Sequence, residues 1–227
     1  MPLLKKWKSR GAIWGIWHVK ETVDELKSML AEYQFIEEDL SGYKSESRRM
    51  EYLAVRVLLK EVTGSCARIL HMPSGRPYLE DGGMKISISH TKGYVAVGLH
   101  PDSDLGIDIE YYSERVAKVS SRFVRDDEME YISENVPSDA IQDKNFIYRL
   151  LLIWSGKETL YKIIDSPEVD FREHLRIYPF RFDVNDTFLN GGYGIMKAKE
   201  YKSDIQSEFL IDFIVHEDFV FTYSVAD

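Results

Sequence analysis

The 227-residue chain has a single cysteine, Cys66, and so cannot form an internal disulfide, which favours a reducing compartment. It has no apolar run approaching the roughly 20 residues needed to span a bilayer, and its first residues lack the apolar segment of a signal peptide. Basic residues are in deficit, with 29 Lys and Arg against 38 Asp and Glu, which disfavours non-specific nucleic-acid binding. We therefore expect a soluble cytoplasmic protein with neither a nucleic-acid nor a membrane partner.

Apolar residues are plentiful: 44% of the chain is hydrophobic and 13% is aromatic, enough to form a core. The length suits one large domain or two small ones. Residues 1–103 carry a net charge of +2, whereas residues 104–227 carry −11. This asymmetry suits a phosphate-rich ligand bound by the first part and a metal bound by the second. An equally open alternative is that acidic loops simply keep the second part soluble.

Hydrophobic periodicity predicts strands and helices in both parts of the chain. In the first part we predict strands over 12–19, 85–90 and 93–99, a helix after Thr22, and an amphipathic helix over 47–62 that ends at Gly64. In the second part we predict a strand around Asp108, helices near 116–123, from 126 and over 144–164, a strand over 180–184, a turn at 191–194, and a hairpin over 206–225. The best candidate for a linker is 101–104.

Three carboxylates suggest a metal site. Asp108 and Glu110 alternate with β-branched residues in G-I-D-I-E, so they share one face of the predicted strand. Two carboxylates on one face repel each other unless a cation lies between them. Glu158 lies in the predicted helix, one turn before Lys162. Oxygen donors without Cys or His spacing favour Mg²⁺, with Mn²⁺ as the alternative, over Zn²⁺. The competing interpretations are that Asp108 and Glu110 are simply solvated on one face of a strand, and that Glu158 and Lys162 form an ordinary helix ion pair.

The pattern G-I-D-I-E at 106–110, followed by W-S-G-K-E-T-L-Y-K at 154–162, resembles the 4′-phosphopantetheinyl transferase superfamily. The resemblance extends upstream through S-H at 89–90, G-R-P at 75–77 and the basic helix start at 48–49. Together with the chain length, these blocks resemble the longer, single-chain class of the surfactin-synthetase-activating type. The resemblance covers about residues 48–162 and is weak elsewhere.

This resemblance implies the roles of the candidate site residues. Asp108, Glu110 and Glu158 would bind the metal, and Glu158 and Lys162 would be catalytic. Whether Glu158 is the general base or only a ligand stays open, because metal ligation lowers the pKa of a carboxyl and weakens it as a base. Coenzyme A would be bound by the following residues: Arg48, Arg49, Arg76, Ser89, His90 and Lys157. Lys44 is the nearest substitute for the further basic residues that some family members place before the predicted helix over 47–62. The resemblance does not decide whether Arg48 or Arg49 contacts coenzyme A.

The resemblance also implies a fold and a reaction. The expected fold is α+β, with two similar subdomains over 1–103 and 104–227 related by a pseudo-twofold and the active site between them. The expected reaction is Mg²⁺-dependent transfer of 4′-phosphopantetheine from coenzyme A to a serine of an apo acyl or peptidyl carrier protein. It would release adenosine 3′,5′-bisphosphate and serve fatty-acid, polyketide or nonribosomal peptide biosynthesis, in a monomeric enzyme. The alternatives are a non-catalytic module that binds coenzyme A or a carrier, and a Mg²⁺-dependent nucleotide pyrophosphohydrolase.

Overall fold

The computed structural model describes residues 3–134, 143–182 and 192–226. The chain divides into two compact units, Met1–Leu105 and Gly106–Asp227. Each unit contains β-sheet and α-helix, and most strand pairs are antiparallel neighbours in sequence. This mixed architecture agrees with the predicted α+β class. Among the described helices, none is both long enough and apolar enough to cross a membrane.

The first unit is built on a four-stranded antiparallel sheet in the order β1-β2-β6-β5, beside a two-stranded β3-β4 ribbon. Its strands are β1 (Leu3–Ser9), β2 (Ala12–His18), β3 (Ile69–His71), β4 (Pro77–Leu79), β5 (Lys85–Thr91) and β6 (Tyr94–His100). Its helices are α1 (Val23–Met29), α2 (Phe35–Leu40) and α3 (Glu46–Thr63). The strands predicted over 85–90 and 93–99 are confirmed, and they pair as a β5-β6 hairpin. The predicted helix after Thr22 is also confirmed and has a complete capping box.

Helix α3 is the longest helix of the first unit. It begins at Ser45, whose hydroxyl accepts a hydrogen bond from the Arg48 amide, and it ends at Gly64 in the left-handed conformation, with φ of 86°. Its apolar face packs on β2 and β6 to form the core of this unit. The predicted helix over 47–62 is confirmed to within one residue at each end.

The second unit is a five-stranded sheet in the order β7-β11-β10-β9-β8. Its strands are β7 (Leu105–Tyr111), β8 (Leu175–Ile177), β9 (Gly192–Glu200), β10 (Glu208–Val215) and β11 (Phe219–Val225). Its helices are α4 (Arg115–Val119), which continues into a 3₁₀ turn at Ser120–Arg122, α5 (Asp126–Ser133) and α6 (Lys144–Ile164). The predicted helix over 144–164 is confirmed, as is the hairpin predicted over 206–225, which turns at 216–218.

Two predictions for the second unit fail. Residues 192–194 do not form a turn, because they lie in β9, where Gly194 faces Phe213 of β10. A Cβ on Gly194 would lie 2.1 Å from the Phe213 ring, so this glycine serves close packing within a strand. The strand predicted over 180–184 is absent at 180–182. Residues 183 and 184, and residue 191 of the predicted turn, lie outside the described residues.

Candidate functional site

A close approach between strand β7 and helix α6 underlies the candidate site. A Cβ added to Gly106 would lie 2.1 Å from the backbone oxygen of Thr159 and 2.9 Å from the Ile163 side chain. Only glycine therefore allows the strand to lie this near the helix backbone. The contact brings Asp108 of β7 beside Lys162 of α6, so the glycine of the G-I-D-I-E motif has a definite packing role.

Replacing Gly106 with alanine is expected to destabilise the protein, because the added methyl group meets helix backbone that cannot rotate away. Overpacking of this kind costs typically about 1–3 kcal/mol. Urea denaturation of Gly106→Ala checks the prediction. The control is Gly64→Ala, whose Cβ would meet nothing within 4 Å, so that only its positive φ, and no packing contact, opposes the alanine. A Gly106→Ala protein as stable as the wild type would contradict the packing argument.

Buried hydroxyl groups tie α6 to the sheet around the candidate site. Ser155 Oγ lies 3.4 Å from the backbone oxygen of Asp108 and 2.9 Å from Thr222 Oγ1 of β11. Thr159 Oγ1 lies 2.7 Å from the same Thr222 hydroxyl and donates to the Thr222 backbone oxygen at 3.3 Å. All three hydroxyl residues are fully buried. This network fixes the helix register that places Glu158 and Lys162.

Asp108 and Lys162 form a partly buried ion pair. Asp108 is only 4% exposed, and its Oδ1 accepts a hydrogen bond of 3.0 Å from Lys162 Nζ. The same ammonium donates to the Ile107 backbone oxygen at 2.8 Å. The lysine thus supplies a positive charge at the carboxylate that the sequence predicts as a metal ligand.

Glu110 lies on the same face of β7 as Asp108 and contacts an aromatic cluster. Trp154 Nε1 donates a 2.8 Å hydrogen bond to Glu110 Oε1, and the Trp154 ring packs against Phe123 and Phe171. Burial, reinforced by the Asp108 charge, raises the pKa of Glu110 to about 7, although the Trp154 hydrogen bond opposes the shift. Glu110 is therefore protonated much more readily than an ordinary carboxyl.

Glu158 belongs to the same electrostatic group. Burial and the negative charge of Asp108 raise its pKa to about 7, with a smaller contribution from Glu110 and an opposing one from Lys162. The structure thus brings Asp108, Glu110, Glu158 and Lys162 into one electrostatic neighbourhood in the second unit. Burial, and secondly the charge of Asp108, thus disfavours the ionised form of both glutamates in the absence of a further cation.

The donor chemistry of this group fits a hard divalent cation, since all three side chains offer only oxygen. Within the described ranges, however, no three His, Cys, Asp or Glu side chains lie close enough together to hold a metal ion as they stand. Instead, Lys162 donates a hydrogen bond to Asp108 Oδ1, and Trp154 donates one to Glu110 Oε1. Binding a metal through all three carboxylates therefore requires the two glutamates to converge on Asp108.

Lys157 has a different position from the one predicted. Its side chain is 0% exposed, and its amine donates to Glu128 Oε2 and to the Phe123 backbone oxygen, both at 2.7 Å, and to the Phe171 backbone oxygen at 3.0 Å. Burial lowers the pKa of Lys157 to about 8, although the Glu128 charge opposes the shift. All three donors of Lys157 are therefore used inside the core, and we assign this lysine no contact with coenzyme A.

In the first unit, His90 and Arg48 both approach the same carboxylate oxygen of Glu51. The Glu51 carboxylate is 2.8 Å from Arg48 Nη1 and 3.8 Å from His90 Nε2. Ser89, the preceding residue on β5, is 7% exposed. A cavity of about 530 Å³ opens beside His90 and is lined also by Glu51, Ser47 and Lys92. His90 and Arg48 are therefore brought together at Glu51, an acidic residue that the sequence motifs do not indicate.

Arg49 and Arg76 lie elsewhere in this unit. Arg49 Nε donates to the Tyr43 backbone oxygen at 2.9 Å, and the side chain lines a separate cavity of about 250 Å³. Arg76 Nη2 is 2.6 Å from Asp104 Oδ1. Lys44 is exposed. Of the two arginines left equally placed by the sequence, Arg48 is the one near His90.

Residues 104–223 match the model of the 4′-phosphopantetheinyl transferase superfamily. Because the match covers more than half of the chain, the protein belongs to this superfamily. Members are transferases that use coenzyme A as a substrate and modify carrier proteins. Comparison with curated proteins finds no match. The matched segment contains Asp108, Glu110, Glu158 and Lys162.

Proposed function

We propose that this protein transfers 4′-phosphopantetheine from coenzyme A to a serine of an apo acyl or peptidyl carrier protein, as a member of the longer single-chain class. The observation that carries the proposal is the grouping of Asp108, Glu110, Glu158 and Lys162 within the segment that matches the superfamily. In the reaction, the serine oxygen bonds to the phosphorus on the pantetheine side of the pyrophosphate. The bond from that phosphorus to the bridging oxygen breaks, and adenosine 3′,5′-bisphosphate leaves.

Glu158 and Lys162 would act at the two ends of this displacement. Without a metal, the Glu158 carboxyl has a pKa of about 7 and is well matched to accept the serine proton near neutral pH, whereas direct ligation of the metal would weaken it as a base. The Lys162 ammonium, held between Asp108 and the Ile107 backbone oxygen, would stabilise negative charge on the departing phosphate. These two roles use side chains one turn apart on α6, which the hydroxyl network holds in place.

The three carboxylates would hold Mg²⁺, with Mn²⁺ as an alternative. Bound there, the ion would offset charge on the pyrophosphate oxygens. Burial and neighbouring negative charge raise the pKa values of Glu110 and Glu158. The positive charge of the ion would lower both pKa values, because it favours the ionised carboxylates.

Residues of the first unit would bind the nucleotide end of coenzyme A. His90 and Arg48 would contact the 3′-phosphate after displacing Glu51 as their partner, and Ser89 and Arg76 would make further nucleotide contacts. Arg49 lines a different cavity and is assigned no direct contact.

Mass spectrometry of apo carrier proteins incubated with coenzyme A, Mg²⁺ and the protein tests the proposal. A carrier mass increase equal to phosphopantetheine is expected, together with release of adenosine 3′,5′-bisphosphate. Nucleotide release without any carrier would instead support a pyrophosphohydrolase. Coenzyme A binding with no modification across acyl and peptidyl carriers would support a non-catalytic module, and a panel of carriers would also identify the preferred pathway.

Magnesium is expected to stabilise the protein more at pH 8 than at pH 5.5. The folded-state pKa values of Glu110 and Glu158 are raised above the unfolded value of about 4.3, to about 7. Without metal, these groups therefore reduce stability as pH rises through that interval, because the folded state holds the protons longer. Mg²⁺ competes with the protons and is expected to remove that loss.

Thermal unfolding with and without Mg²⁺ at the two pH values measures this effect without any turnover. The double variant Glu110→Gln/Glu158→Gln is the control, and it is expected to lose both the pH dependence of the Mg²⁺ effect and most of its size. An equal Mg²⁺ effect at both pH values in the wild type would remove the two glutamates from the metal site.

A further inference from the structure

The carboxylate of Glu51 is contacted by polar groups from two secondary-structure elements. Arg48 Nη1 of helix α3 lies 2.8 Å from Glu51 Oε2, and His90 Nε2 of strand β5 lies 3.8 Å from the same oxygen. Ser47 Oγ donates a hydrogen bond of 3.3 Å to the other oxygen, Oε1. A guanidinium, an imidazole and a hydroxyl group therefore converge on one anionic side chain. These are also groups that can bind a phosphate.

An ordinary helix ion pair does not account for this arrangement. Arg48 and Glu51 are three residues apart on α3, and an exposed pair of that spacing contributes little to stability. His90, however, approaches from a different element. An acidic residue at this point opposes the binding of any external anion to Arg48 and His90, because like charges repel at short range. Glu51 therefore affects ligand binding more than it affects folding.

An incoming anion can reach both basic side chains. The side chain of Arg48 is 62% exposed and that of His90 is 41% exposed, while that of Glu51 is 29% exposed. Glu51, His90 and Ser47 line the cavity of about 530 Å³ beside strand β5. Because Glu51 lies at the surface, its carboxylate can turn away from the two basic groups without disturbing the core of the first unit.

We propose that Glu51 occupies, in the unliganded protein, the position that the 3′-phosphate of coenzyme A takes on Arg48 and His90, and that it competes with this phosphate; the inference rests on the proposed binding of coenzyme A by these two residues. A phosphate monoester carries a charge of about −1.5 to −2 near pH 7 and three acceptor oxygens. It therefore interacts more strongly with the two basic groups than a single carboxylate does, and it displaces Glu51.

This competition acts on the product as well as on the substrate. Adenosine 3′,5′-bisphosphate keeps the 3′-phosphate of coenzyme A, so it has to displace Glu51 in the same way. The return of the Glu51 carboxylate to Arg48 and His90 then favours release of the product. Glu51 thus lowers the affinity for coenzyme A and also limits inhibition by the nucleotide that the reaction leaves behind.

The alternative role for Glu51 is that of a positioning residue that holds His90 ready for the phosphate. The two roles predict opposite results when the charge is removed. Loss of a competitor strengthens the binding of coenzyme A, whereas loss of a positioning group weakens it. Glu51→Gln separates them, because it keeps the size of the side chain and an acceptor oxygen but removes the negative charge.

Isothermal titration calorimetry of the wild type and Glu51→Gln measures this effect without any turnover. The Kd values for coenzyme A and adenosine 3′,5′-bisphosphate are expected to fall by about five- to tenfold, as removal of one charge about 4 Å from another at a solvated surface implies. The Kd for 3′-dephospho-coenzyme A should not change, since it has no 3′-phosphate. Glu61→Gln is the control, because it removes the same charge from an exposed position near the other end of α3. It should leave all three Kd values unchanged.

An unchanged or higher Kd for coenzyme A in Glu51→Gln would overturn the competition. That result would leave the proposed function standing if the wild type still bound coenzyme A more tightly than 3′-dephospho-coenzyme A. An equal gain for 3′-dephospho-coenzyme A would show a general charge effect and would also overturn the competition. Equal affinity of the wild type for the two ligands would overturn both the competition and the assignment of the 3′-phosphate to His90. The mass of the carrier would still decide the transfer reaction separately.

Discussion

Replacing Asp108 with alanine is expected to lower kcat for carrier modification by about 10²–10³-fold, the usual effect of deleting one electrostatic stabiliser. Asp108 pairs with Lys162, and its charge raises the pKa values of both Glu110 and Glu158. Its removal therefore alters three functional groups at once. The measurement is steady-state transfer to an apo carrier, with the exposed Glu114→Ala as a control that should retain wild-type activity.

Metal titration of this variant, compared with Glu158→Gln, separates a ligand from a base. Excess Mg²⁺ should partly restore Asp108→Ala, because two carboxylates remain to hold the ion. Glu158→Gln keeps an oxygen donor but cannot take the serine proton, so excess metal should restore it poorly. Equal rescue of both variants would leave Glu158 a ligand only. A wild-type kcat in Asp108→Ala would show that the cluster of three carboxylates is not the active site.

The sequence predicts the carboxylate group because local rules govern it. Residues two apart on a strand share a face, so Asp108 and Glu110 point the same way once β7 forms. Residues four apart on a helix are neighbours, so Glu158 and Lys162 follow from α6. What local rules do not contain is the closeness of β7 and α6. That depends on Gly106 meeting the Thr159 backbone, a contact between positions more than fifty residues apart.

Tertiary packing also explains the predictions that fail. The glycines at 192 and 194 look like turn residues, yet β9 forms because its neighbours pair with β10 and the Phe213 ring fills the space over Gly194. Trp154 is an aromatic residue of helix α6, yet its indole nitrogen donates to Glu110 of strand β7. In both cases a partner distant in sequence decides the role, and periodicity alone does not reveal it.

Lys157 is the clearest case, since it lies directly before Glu158 in a motif associated with phosphate chemistry. Adjacent helix residues point in directions about a quarter-turn apart or more, so only one of them needs to face the ligand. Lys157 instead faces Glu128, whose carboxylate also accepts from the Arg125 and Ile177 amides at 2.8 and 2.7 Å. This buried pair joins α6, α5 and β8. A structural role for Lys157 predicts an effect on stability.

Replacing Lys157 with methionine is therefore expected to reduce the free energy of unfolding by about 3–5 kcal/mol, since it leaves the Glu128 carboxylate buried without a counter-charge. Urea denaturation measures the loss, and Lys197→Met, on an exposed lysine of β9, should change stability by no more than about 0.5 kcal/mol. Adding Glu128→Gln to Lys157→Met should recover part of the loss, because the orphaned charge is then removed. A stable Lys157→Met protein with weakened coenzyme A binding would show instead that Lys157 contacts coenzyme A.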